Sequence, residues 1–301
     1  MNKPKDEPGL QTILSHCGRN LEASGGYVNV PPYEGSTILH DDMEDLFGRV
    51  DNHLYGDGTA QTYGTDGGPT HEAFYDAMNK LEGGAGTWAF STGLAGCTIP
   101  MMAFLKTGDH MLVTDSVYGP TRQFCEVLLK NFGVEAEFYE PTIGAGIEKL
   151  IRPNTRLIYM ESPGTHTFEM QDVPAIAAVA RKYNIVTMID NTYATPLNFQ
   201  PLKHGVDVVV HSATKYICGH SDVLMSTVTC NEKNWKQVRD VCKMTGQYAS
   251  AQSVYLGLRG LRTLKVRLDA VGVHTRKVVD WLLKREEVKK VIWPAYDKAP
   301  G

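Results

Sequence analysis

The chain has 301 residues, 42% of them hydrophobic and 21% charged, with a formal net charge of −4 at neutral pH. That length can bury a sizeable core and suggests about two domains, while the near-neutral balance gives no reason to expect a nucleic-acid or polyanionic partner. No apolar run reaches membrane-spanning length and MNKPKDEPGL offers no signal peptide, so a soluble cytoplasmic protein acting on a small molecule is expected.

Residues 1–62 are rich in turn formers, with Pro31 and Pro32 interrupting any period and one short helix expected around HDDMEDLFGRV. Tyr27, Val28, Val30, Tyr33 and Phe47 give this stretch the character of a clamp that closes on another surface. A regular pattern follows. Thr70 is expected to cap a helix with Phe74, Met78 and Leu81 on one face and Gly83 at its end. TWAF then reads as a strand, LAGCTIPMMAFL as a buried helix, HMLVTD as a strand, TRQFCEVLLKNF as a helix closed by Gly133, and VEAEFY as a strand. RLIYMES, IVTMID and VDVVV are further strands, the first two separated by the helix VPAIAAVARKY with Asp172 as its cap. Such alternation predicts an α/β fold with a mostly parallel sheet between helices. Beyond Val223 come one more strand-like run, a helical stretch from Gln252 to about Arg285, and a final segment, VKKVIWPAYDKAPG, that begins like a strand. The expected divisions are 1–62 as the N-terminal clamp, 63–255 as the large domain and 256–301 as the start of a smaller domain that is not completed.

The chemistry concentrates at the predicted C-terminal ends of strands, the edge where parallel α/β sheets bind ligands. Lys215 follows DVVV, and Ser212 and Thr214, two apart, share one face if that segment is extended while Lys215 takes the other. Two hydroxyls can then hold a phosphate while the amine reaches a neighbouring carbonyl. Gly93 and Leu94 open a helix after TWAF, where free N–H groups favour a phosphate. Asp190 ends IVTMID, suited to a protonated pyridine nitrogen, and Tyr118 follows HMLVTD, suited to stacking on a ring. Each residue alone has an ordinary explanation, as surface lysine, turn glycine, loop cap or packed ring. Their coincidence at one edge points to pyridoxal 5′-phosphate (PLP). An NAD-type site is disfavoured because no Gly-x-Gly-x-x-Gly opens the first strand–helix unit. The six cysteines (Cys17, Cys97, Cys125, Cys218, Cys230 and Cys242) form no Cys-x-x-Cys pair, so buried thiols are expected and a metal site is not.

ATKYICGHSD, MIDNTYATP, YMESPGTHTFEMQDVPAIA and TDSVYGPTRQF together resemble the trans-sulfuration enzymes of Cys/Met metabolism, over roughly Thr12 to Pro294. The resemblance implies a fold-type I, aspartate-aminotransferase-like PLP enzyme. By matched position it implies Lys215 as the Schiff-base lysine, Asp190 as the pyridinium partner, Tyr118 as the stacking ring, and Gly93, Leu94, Ser212 and Thr214 at the phosphate. Tyr63 would reach the phosphate of a neighbouring subunit, which implies a homo-oligomer, a tetramer built from dimers that share active sites. ESPGTHTFEMQD, between Glu161 and Asp172, resembles bacterial cystathionine β-lyases, where γ-synthases and γ-lyases tend to carry Asn-Pro. The implied reaction is β-elimination of cystathionine to homocysteine, pyruvate and ammonia. Lys215 would take the Cα proton, and Lys215 or Tyr118 would protonate the departing sulfur. Two other outcomes stay open: γ-chemistry on cystathionine, methionine or O-acyl-homoserine, and a non-catalytic PLP-binding scaffold. Two departures accompany the resemblance. Thr65 stands in YGTDGGPT where a phosphate-binding arginine is usual, with Asp66 adding a negative charge beside it, and the arginine that grips the substrate carboxylate in the family's small domain has no counterpart before Gly301.

Overall fold

The structure, a computed structural model, describes residues 8–22, 24–56 and 58–296. Within them β1 (Gly86–Phe90), β2 (His110–Thr114), β3 (Glu135–Tyr139), β4 (Thr155–Glu161), β5 (Val186–Asp190), β6 (Val208–His211) and β7 (Ser226–Cys230) form one sheet in the order β1-β7-β6-β5-β4-β2-β3. The run β3-β2-β4-β5-β6 is parallel, and β7 is antiparallel to both β6 and β1. Two antiparallel steps cancel, so β1 points with the parallel set. The C-terminal ends of β1, β2, β4, β5 and β6 therefore share one edge.

The strand sequences explain this burial. β1, β2, β6 and β7 are buried at every position, as near-continuous β-branched and apolar runs require when helices cover both faces. Alternation then sorts the side chains, with Val208 and Val210 in one core and Val209 in the core on the opposite face.

The helices in chain order are α1 (Leu10–His16), α2 (Met43–Tyr55), α3 (Pro69–Glu82), α4 (Gly93–Thr98), α5 (Gly119–Gln123), α6 (Val173–Lys182), α7 (Thr195–Asn198), α8 (Glu232–Met244), α9 (Ala251–Leu261) and α10 (Leu264–Leu282). α1, α3 and α9 share one apolar cluster through Leu14, Phe74, Met78, Leu81, Leu258 and Leu261. α8 joins a second through Val238 and Cys242, and α6 a third through Ile176, Ala177 and Ala180. No helix is long and apolar enough to cross a membrane among the described residues.

Several local expectations change. α3 starts at Pro69 with Gly68 as its cap, because the Thr70 hydroxyl is used elsewhere: it donates to Pro31 O at 2.7 Å and accepts the Tyr33 N–H at 2.9 Å. The segment 94–105 is not one helix, since Pro100 lacks an N–H and its ring opposes the preceding turn; α4 ends at Thr98 and a 3₁₀ turn follows over Ile99–Ala103. α5 passes into a π-helical turn over Phe124–Leu129 before Gly133 closes it with φ +75°. The long helix expected from Gln252 is two, broken after Arg262, whose guanidinium turns back to the Leu14 and Cys17 carbonyls at 2.8 and 2.7 Å. The division expected between 255 and 256 falls inside α9, where Val254 and Leu258 enter the same core cluster. Residues 288–296 form no strand, and the last of the expected strand segment lies outside the described residues.

Candidate active site

Asp190 ends β5 with only 8% of its surface exposed. Its Oδ1 accepts the Thr192 N–H at 2.9 Å, and the Cys97 thiol of α4 approaches Oδ2 at 3.5 Å. The same Thr192 accepts the Ser212 N–H on its hydroxyl at 2.7 Å. One threonine thus joins the carboxylate at the end of β5 to the loop after β6.

That loop is a turn rather than the extended segment expected. Lys215 N–H donates to Ser212 O at 3.0 Å and Gly219 N–H to Lys215 O at 2.8 Å, so alternation no longer decides which way Ser212 and Thr214 point. The Thr214 hydroxyl gives its one proton to Met225 O at 3.1 Å and accepts the Met225 N–H at 3.0 Å. It staples the turn to the start of β7, with no donor left for a phosphate in this arrangement. Lys215 itself is exposed. α9 supports the turn from below at Gly260, where a β-carbon would lie 2.2 Å from Ile217 O.

Gly93 opens α4 behind the cap Thr92, whose side chain accepts the Ala95 N–H at 3.2 Å. A β-carbon on Gly93 would sit 2.6 Å from the Ser212 hydroxyl. The missing side chain therefore leaves a niche between that hydroxyl and the first-turn N–H groups of Gly93 and Leu94, which have no acceptor within the helix. A phosphate ester fits this donor set, and PLP with it: niche at α4, amine after β6, buried carboxylate after β5.

Tyr118 follows β2 and is 45% exposed, with its ring free to cover a ligand at the edge. Its backbone N–H donates to Glu161 Oε2 at 2.8 Å. Glu161 ends β4 directly opposite Asp190 in the β4–β5 register and is equally buried. Burial first and the Asp190 charge second push its carboxyl well above the ordinary carboxylate range. Glu161, Thr192 and Cys97 were not singled out from the sequence for site roles. The signal for Glu161 was present, an acidic residue at a strand end beside that of Asp190.

Tyr63 stands apart. It is 51% exposed, precedes a one-turn 3₁₀ helix over Gly64–Asp66, and bridges Thr37. Asp66 does not project its charge outward: its carboxylate accepts the Thr62 N–H at 2.8 Å, the Thr62 hydroxyl at 2.9 Å and the Tyr63 N–H at 3.1 Å. Asp66 is the brace of the Tyr63 turn.

Beside Lys215 open two cavities that share Tyr216. One, of about 800 Å³, is lined by Thr214, Lys215, Asp222 and Arg267. The other, of about 1000 Å³, is lined by Ser162, Pro163, Met170, Gln171 and Tyr193 together with α10 residues.

The family model described as Cys/Met metabolism PLP-dependent enzyme matches residues 11–301. A protein of Rhizobium johnstonii is 44% identical over 293 residues, 97% of this chain and 72% of its own length. Cystathionine β-lyase of Haemophilus influenzae is 39% identical over 294 residues, 97% of this chain and 74% of its own. Among solved structures, MetB from Corynebacterium glutamicum superposes with a TM-score of 0.90 at 31% identity, covering 98% of this chain and 74% of that one.

Proposed function

The chain belongs to the Cys/Met metabolism PLP-dependent enzyme family, and within it we propose that this protein is a carbon–sulfur lyase that splits cystathionine at Cβ. The balance is cystathionine plus water giving homocysteine, pyruvate and ammonia. The observation that carries the proposal is the meeting of Gly93, Tyr118, Asp190 and Lys215 at one sheet edge, beside a cavity lined by the β-lyase-like segment through Ser162, Pro163, Met170 and Gln171. The names of relatives such as the Haemophilus enzyme support the same substrate.

When bound, PLP supplies the electron sink for the pair left at Cα once its proton is removed. Lys215 would hold the cofactor through its aldehyde, and its amine, when free and uncharged, would take the Cα proton. Asp190, held by Thr192 and faced by the Cys97 thiol, keeps the pyridine nitrogen protonated. Gly93, Leu94 and Ser212 would bind the phosphate, while the Thr214 hydroxyl, committed to Met225, holds the turn that carries Ser212 and Lys215. Tyr118 covers the ring, and Tyr118 or Lys215 returns a proton to sulfur as the Cβ–S bond breaks.

The working unit in this proposal is a homo-oligomer in the cytoplasm, where the six free, buried thiols stay reduced. Its cofactor-binding part runs from residue 63 through α9, and the segment that carries α2 reaches a second copy, with Tyr63 meeting that copy's phosphate. The test is product identification with L-cystathionine and added PLP. Pyruvate with homocysteine is the expected outcome; predominant 2-oxobutyrate with cysteine would replace the β-lyase reading with a γ-lyase one.

A further inference from the structure

Glu161 does more in this structure than end a strand. Its two carboxylate oxygens hold two separate loops: Oε2 accepts the Tyr118 N–H from the loop after β2, and Oε1 pairs with the Thr165 hydroxyl from the loop after β4. Those loops are then sewn to each other. Thr165 N–H donates to Ser116 O at 2.8 Å, and Gly164 lies so close to Ser116 that a β-carbon there would be 2.3 Å from its hydroxyl. The far side of the second loop is closed by Gln171, whose amide nitrogen donates to Glu161 O at 2.8 Å and whose backbone N–H donates to the Ser162 hydroxyl at 3.0 Å. The tip of the loop carries Phe168, which meets Tyr193 edge-on at 5.4 Å, and Tyr193 in turn meets Tyr216, the neighbour of Lys215, at 6.2 Å.

We propose that Glu161 is a positioning residue that locks the Tyr118 turn to the 162–171 loop, so that the ring over the cofactor and the wall of the substrate cavity are set by one buried carboxyl. This rests on the reading of Tyr118 as the residue that covers the ring. The physical reason is that one buried carboxyl at the end of β4 bonds to both loops at once, one oxygen to each. Tyr118 is the first residue of the turn into α5, whose N–H groups have no helical acceptor, and a carboxyl aimed at that N–H fixes the height of the ring above the strand ends. A neutral carboxyl serves as well as an ionised one, because a carbonyl oxygen still accepts the N–H, and a neutral Glu161 stands beside Asp190 without like-charge repulsion.

Glu161→Ala, Glu161→Gln and Thr165→Val are to be compared with the parent PLP-loaded protein in three measurements: amide hydrogen exchange without substrate, visible circular dichroism of bound PLP, and kcat and KM for cystathionine. Glu161→Ala is expected to speed exchange over 116–124 about tenfold, the loss of roughly one hydrogen bond to a buried acceptor. It should also shrink the dichroism of the cofactor and lower kcat more than it raises KM. Glu161→Gln keeps an acceptor for the Tyr118 N–H and is expected to restore exchange and dichroism toward parent values. Thr165→Val keeps the shape and removes one limb, so exchange over 162–171 should rise severalfold. Parent-like exchange and dichroism in a folded Glu161→Ala protein would overturn the proposal; if that variant does not fold, parent-like exchange over 162–171 in Thr165→Val overturns it. Product identity is a separate question. A switch to 2-oxobutyrate in the parent would remove the β-lyase reading and leave the exchange pattern as it stands.

Discussion

The edge formed by residues 186–218 and the described residues 24–56 and 58–63 satisfy their groups in opposite ways. At the edge, Asp190, Thr192, Ser212 and Thr214 each have partners within the chain, and Asp190 is 8% exposed. In the N-terminal segment the backbone is anchored while apolar side chains are left uncovered. Thr70 ties down Pro31 and Tyr33, and Lys243 donates to Gly58 O and approaches His53, both at 3.1 Å. Yet α2 buries no residue, Leu39 is 89% exposed and Phe47 60%. The edge residues are thus satisfied by one another within the chain, whereas the N-terminal segment holds a fixed backbone and leaves an apolar face exposed. A second copy is the occupant proposed above.

The largest effect that sharpens this comparison is at Lys215. Because its side chain is exposed, Lys215→Ala should remove the nucleophilic amine and the base at once without touching the core. Cystathionine cleavage is expected to fall by about three orders of magnitude or more, with the melting temperature of the cofactor-free protein nearly unchanged. Borohydride reduction and peptide mapping of the parent should find the pyridoxyl group on Lys215. A label on another lysine would break the assignment.

The parallel sheet and its edge were legible because buried β-branched runs separated by helical periods have one economical arrangement, and Asp190 and Lys215 follow such runs directly. Segments where a side chain answers to a distant partner were not legible. Thr70 reads as a helix cap until Pro31 and Tyr33, more than thirty residues earlier, claim its hydroxyl. Thr214 reads as a phosphate ligand until Met225 takes its proton. Glu161 reads as one more polar residue at a strand end until the register sets it opposite Asp190 and under Tyr118. Pro100, by contrast, marks the break after α4 within the sequence itself, inside an apolar run that otherwise reads as one helix.

A medium effect is expected where the comparison is most exposed to failure, at Phe47. If the uncovered face of α2 meets a second copy, Phe47→Asp places a charge in an apolar contact and should weaken association by about 2 kcal/mol. Sedimentation at low micromolar concentration should then show smaller species, and PLP should dissociate more readily because Tyr63 travels with the same segment. An unchanged oligomer, with PLP held as in the parent, would mean that α2 faces solvent and that the edge needs nothing from this segment.

The smallest effect concerns Thr65, exposed in the turn beside Tyr63. If that turn lies over a neighbouring copy's phosphate, Thr65→Arg introduces a guanidinium able to form charge-assisted hydrogen bonds to it. The competing partner is Asp66, the adjacent carboxylate. Its Oδ2 already accepts from the Thr62 N–H, the Thr62 hydroxyl and the Tyr63 N–H, and lies 3.5 Å from His53 Nδ1, so drawing it outward would cost the brace of the turn. The guanidinium therefore gains more from the phosphate than from Asp66, though solvent screening at an exposed turn limits that gain. A tightening of about 1 kcal/mol, roughly fivefold in the PLP dissociation constant, is expected from equilibrium titration of the cofactor-free protein. The same substitution should leave free PLP and pyridoxal, which lacks the phosphate, distinguishable: only the phosphate ester should bind more tightly. Equal tightening of both ligands, or of neither, would separate the Tyr63 turn from the phosphate and leave the N-terminal segment with a packing role alone.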